Sequence, residues 1–266
     1  MSSKFEEFKS LAVNGNATAQ FNLGVMYERG QEVPRDYKEA LAWYHFAADQ
    51  GHAGAQNNLG LMHENGQGVP QNRDEAVRLY RLAASQGHVD AQFNLGVAYH
   101  MGGGVSPNLK EAVKWYRRAS DQGNATARNN LGVVYYKGEG VPRDLRKALK
   151  LFRLAANQGY INAQFNLGVM YHKGEGFVQN FEEAVKWYQL AAGQGHAGAQ
   201  NNLGVMHEKG DGVPQDHREA ARLYRLAIGQ GHTKAQSNFS TMYLPDSTLM
   251  YRPTTAKPKL LGTKKT

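Results

Sequence analysis

No cysteine occurs anywhere in this chain. That excludes disulfides, thiolate metal sites and a cysteine nucleophile. It also fits a reducing cytoplasm, which is the expected location. Long apolar runs are missing too. No segment approaches the roughly 18 apolar residues of a membrane-spanning helix. The first residues, MSSKFEEFKSLAVNGN, hold no continuous apolar stretch, so no secretory signal is expected there. The body of the chain also lacks a strong excess of one charge. The formal net charge is +8, but residues 247–266 carry Arg252, Lys257, Lys259, Lys264 and Lys265 and no acid, which leaves +3 for the rest. The basic character therefore belongs to the tail, and it argues against a nucleic-acid or membrane partner for the body.

What the chain has instead is repetition. The pair Leu-Gly recurs at 23–24, 59–60, 95–96, 131–132, 167–168 and 203–204, always 36 residues on. A Gln-Gly pair marks the same register, with its glycine at Gly51, Gly87, Gly123, Gly159, Gly195 and Gly231. Six complete units run through 15–230, and a partial seventh, 231–243, fails after Tyr243. Residues 1–14 align with the second half of a unit and are expected to cap the array. The tail, 244–266, is Pro-interrupted and expected to be partly disordered. Within it, 244–251 is expected to fold back over the last helix, with a weak end-to-end dimer as the alternative to a monomer.

Each unit predicts two helices. Helix A of the first unit spans about 17–29 and stops at Gly30, a residue suited to the left-handed position after a helix end. Helix B starts at Asp36, with Glu39 three residues on, a capping-box spacing. Lys147 breaks this box in the fourth unit. On helix A, Ala19, Gln20, Leu23, Gly24, Met26 and Tyr27 share one arc. On helix B the arc is Ala40, Leu41, Trp43, Tyr44, Ala47 and Ala48. Neither helix of one pair covers such faces alone, so the pairs must stack. The predicted fold is an all-α solenoid of 36-residue helix-turn-helix repeats. A second period of 72 lies over the first, because Phe21, Phe93 and Phe165 alternate with Asn57, Asn129 and Asn201. Units two and six share 27 of 36 residues, which points to duplication of a two-unit block.

The pattern A-x-A-Q-x-N-L-G-x-M-Y-x-x-G-x-G-V-P, followed by D/N-x-x-E-A and W-Y-x-x-A-A-x-Q-G, resembles the Sel-1-like repeat, a relative of the tetratricopeptide repeat. The G-x-G-V-P turn stands complete at 66–70, 138–142 and 210–214 and departs at Glu32, Ser106 and Phe177. The resemblance implies a right-handed superhelix that serves as an adaptor or scaffold for protein partners. Cysteine-rich relatives are linked with weak β-lactam hydrolysis, which leaves a hydrolase as the alternative to a non-enzymatic role. A basic-tail membrane or nucleic-acid binder is a further alternative.

By the same likeness, helix A lines a concave groove. One position outside its core arc is always asparagine: Asn22, Asn58, Asn94, Asn130, Asn166, Asn202 and Asn238. Amides offer a donor and an acceptor to an extended peptide. Val97, Val133 and Val169 lie beside them and supply apolar area. His100, Tyr136 and His172 occupy the row that varies most, with acids towards its ends, so the middle would suit an acidic segment. Each Asn can instead bond within the scaffold, and the two roles can coexist at different atoms. Histidine pairs such as His52 and His88 follow the repeat without clustering, so neither a metal nor another cofactor is expected.

Overall fold

The structure, a computed structural model, describes residues 4–242. Ser3, which stands three residues before Glu6 at a capping-box spacing and is expected to start the first helix, and the expected cap and tail of 244–266 lie outside these residues. The described residues form fourteen helices and no strand. The chain divides into two compact units, Met1–Gln179 and Asn180–Thr266. The boundary falls within the fifth repeat, in the turn where Phe177 departs from the repeat pattern.

The first unit holds α1 (Lys4–Val13), α2 (Ala17–Arg29), α3 (Tyr37–Asp49), α4 (Ala53–Asn65), α5 (Arg73–Ser85), α6 (Val89–Met101), α7 (Leu109–Asp121), α8 (Ala125–Lys137), α9 (Leu145–Ala156) and α10 (Ile161–Lys173). The second holds α11 (Phe181–Gly193), α12 (Ala197–Lys209), α13 (His217–Gly229) and α14 (Thr233–Met242). Even-numbered helices are A helices and odd-numbered ones are B helices. Within each unit every helix packs on the next in sequence. This is an all-α solenoid architecture, in which each layer is stabilised by its neighbours. Among the described residues, no helix is long and apolar enough to cross a membrane.

Close packing within a pair depends on one glycine. A Cβ on Gly24 would sit 2.5 Å from the Tyr44 ring, and one on Gly132 would sit 2.7 Å from Phe152. The glycine therefore seats the large aromatic of helix B against helix A. Tyr44, Tyr80, Tyr116, Phe152, Tyr188 and Tyr224 are all fully buried.

The glutamines that mark the repeat tie successive pairs together. Buried Gln56 donates to the carbonyl of Ala48 at the end of α3 (3.2 Å), which satisfies a helix C-terminus. Gln86 in turn donates to Gln56 Oε1 at 2.8 Å. Arg128 replaces this glutamine in the fourth repeat and does both jobs, donating to Ser120 O (3.2 Å) and to Gln158 Oε1 (2.9 Å).

The turns follow their sequence. Gly30, Gly66, Gly102, Gly138, Gly174 and Gly210 all take the left-handed conformation at the ends of A helices. The second turn glycine faces the start of the preceding B helix: a Cβ on Gly68 would lie 2.6 Å from Tyr37 O. Glu32 occupies that position in the first repeat and is the one described non-glycine residue at positive φ (61°). Its carboxylate accepts from Phe5 N of α1 at 3.2 Å. The broken box of the fourth repeat keeps its cap. Asp144 still accepts from Lys147 N (2.9 Å), and the Lys147 amine bridges back to Asp144 at 3.0 Å.

Candidate functional site

The asparagine row on the A helices is half-buried throughout, and its members differ in what they touch. In the first unit Asn94 donates to Asn57 Oδ1 across 3.0 Å. Asn57 donates to Asn58 Oδ1 (3.2 Å), and Asn58 donates to the Tyr44 hydroxyl (3.1 Å). Tyr44 closes the chain by donating to Glu28 at 2.5 Å. The arrangement recurs two repeats later. Asn166 donates to Asn129 (3.0 Å), Asn129 to Asn130 (3.3 Å), and Asn130 is bonded to Tyr116. In the second unit Asn238, Asn201, Asn202 and Tyr188 form the same sequence of bonds.

The 72-residue period thus has a physical meaning. Asn57, Asn129 and Asn201 are buried acceptors for the asparagine of the next A helix. Phenylalanine at that position cannot accept, and it packs instead: Phe21 stacks on His52 (4.6 Å between centroids), and Phe93 leans on Tyr116. The sequence showed these three bridging asparagines as one half of the 72-residue alternation, and not as acceptors within the row. The spacing of 37 residues between donor and acceptor was the available signal.

The relay does not use every amide atom. Asn94 and Asn166 each use one amide N–H and keep Oδ1 without a partner among the described residues. Asn22 has no hydrogen-bond partner among them. Beside this row Val97, Val133 and Val169 are half-buried.

The variable row is governed by the tyrosines of helix B. Glu28, Glu64 and Glu208 accept from Tyr44, Tyr80 and Tyr224. Burial first, then the neighbouring carboxylate, push these hydroxyls well above the ordinary tyrosine value. His100 meets Tyr116 instead (3.3 Å), and burial raises that hydroxyl to about 12. Phe152 offers no hydroxyl, and there the row carries Tyr136, which donates to Glu175 of the following turn. His172 stands at the next step of the row. The middle of the row, expected from the sequence to suit an acidic segment, already meets acids of the turns. Glu139 lies 3.7 Å from His100 and 3.3 Å from Lys137, and Glu175 lies 3.8 Å from Arg143.

The paired histidines occupy a different kind of position. Nδ1 of His52, His88, His196 and His232 accepts from the backbone N–H three residues on, at 3.1–3.3 Å. They cap A helices, as Asn16 and Asn124 do elsewhere.

Comparison with known proteins places this geometry. The model of the Sel1 repeat matches residues 17–52, 53–88, 89–124, 125–160, 161–196 and 197–232. A protective antigen of uropathogenic Escherichia coli, described as displaying an SLR fold, is similar over 91% of this chain at 37% identity, with a TM-score of 0.85. A Sel1 repeat protein from Oxalobacter formigenes is similar over 85% at 34% identity, with a TM-score of 0.76. The chain spans 52% of the first structure and 65% of the second. A search of the curated proteins found no match.

Proposed function

Because the chain belongs to the Sel1 repeat family, whose members are generally non-catalytic scaffolds for protein–protein interaction, we propose that it holds a peptide or protein partner along the exposed face of its A helices. One observation carries the reading. Oδ1 of Asn94 and of Asn166 is held in place by the relay yet left without a partner, beside the apolar strip of Val97, Val133 and Val169. Preorganised acceptors next to apolar area match the N–H groups and side chains of an extended segment. His100 and Tyr136 border the same strip. Asn22, Asn58 and Asn130 extend it along the first unit, and Asn202 holds the equivalent position within the second unit.

A photo-crosslinking residue at Val133, compared with one at Ala42 on the B-helix side, tests the proposal. The expected result is a partner adduct from position 133. Adducts from position 42 alone would reject it.

A further inference from the structure

The B helices carry their charge unevenly. Helix α9 has four basic side chains and no acid, and α7 has four basic side chains against two acids. Two departures from the repeat pattern produce this, and they lie in neighbouring repeats. The position of Phe46, Leu82, Leu154, Leu190 and Leu226 is Arg118 in the third repeat. The position of Glu39, Glu75, Glu111, Glu183 and Glu219 is Lys147 in the fourth. Both changes add positive charge.

The two helices present these charges together. Arg117 of α7 donates to the Tyr135 hydroxyl at 2.8 Å, and the Lys147 amine of α9 lies 5.2 Å over the same ring. At their far ends Gln158 donates to Gly123 O at 3.0 Å. Arg146 and Lys150 are exposed, share one arc of α9, and have no ion-pair partner among the described residues. In α5, by contrast, Arg78 is forked onto Glu75. Leu154, one turn beyond Lys150 on the same side of α9, is 39% exposed.

From this we infer that the α7–α9 face docks an acidic segment of a partner protein, one that carries apolar side chains between its carboxylates. Unpaired cations supply long-range attraction, and Leu154 supplies an apolar seat. The chemistry disfavours nucleic acid. Trp115, the aromatic available for stacking on a base, is half-buried and already covered by the Arg118 guanidinium, 4.5 Å from its centroid. This surface is separate from the A-helix face and does not depend on that reading.

A labelled amphipathic peptide with glutamate and leucine at helical spacing is the probe. The full chain should bind it, with affinity falling as salt rises. Arg146→Glu with Lys150→Glu should weaken binding by at least about tenfold. Arg118→Leu, which restores the residue type of the other repeats, should weaken it by roughly threefold. Leu154→Ser should weaken the peptide and leave a single-stranded oligonucleotide unaffected. No peptide binding, unchanged affinity in both charge variants, or tighter binding to the oligonucleotide or to phosphatidylserine vesicles would overturn the inference.

Discussion

At the scale of single residues, the histidine caps make stability depend on pH. A neutral imidazole accepts the capping bond, and a protonated one cannot. Burial holds His52 and His196 below the ordinary histidine value. The unfolded chain then binds more protons than the folded one as pH falls. Stability is therefore complete above the unfolded value of about 6.5 and is lost progressively below it. Melting temperatures at pH 8 and pH 5 should show the loss, and His52→Asn with His196→Asn should flatten it. Tyr160 caps α10 without a side-chain bond. Tyr160→Asn should stabilise the chain by about 1 kcal/mol, read as a rise in melting temperature. The histidines were visible in the sequence as followers of the repeat. Their capping role was not, because it depends on which way Nδ1 faces a backbone N–H.

At the scale of helices, the sequence was legible almost to the residue. Gly30 and its equivalents end every A helix before the last, and Asp36 and its equivalents start every complete B helix, each for a local reason. The same holds for most of the buried arcs, where Tyr27, Leu41 and Trp43 are only half-buried and the rest is covered. What local patterns cannot convey is fit between helices. Gly132→Ala gains helix propensity of nearly 1 kcal/mol, yet its Cβ would meet the Phe152 ring at 2.7 Å. Packing should win, with a net loss of about 1–3 kcal/mol in chemical denaturation. Phe152→Leu in the same chain should recover part of that loss by freeing the space.

At the scale of the whole molecule, the array was evident from its period, and the asparagine row from its invariance. The division at residue 179 was not, although it falls in the turn where Phe177 departs from the repeat pattern. Nor was the donor–acceptor order within the row, because bonds spanning 37 residues leave no local trace. Asn129→Phe should remove an acceptor from Asn166 and a donor from Asn130. The expected cost is about 1–3 kcal/mol, measured by thermal melting. Changing Asn94, Asn130 and Asn166 together to alanine should lower both stability and partner affinity. The affinity loss should persist at temperatures where circular dichroism shows the variant fully folded.

The amide relay also has a parity. Each acceptor of the Asn57 type takes its donor from the next A helix, which carries Phe93, Phe165 or Ser237 at the acceptor's own position. Inserting or deleting one 36-residue copy would set two like layers side by side and break the alternation. Inserting or deleting two copies would preserve every bond. Arrays of this kind should therefore lengthen and shorten in even steps, and a lineage that changed by an odd number should carry a compensating exchange of phenylalanine and asparagine at the new junction.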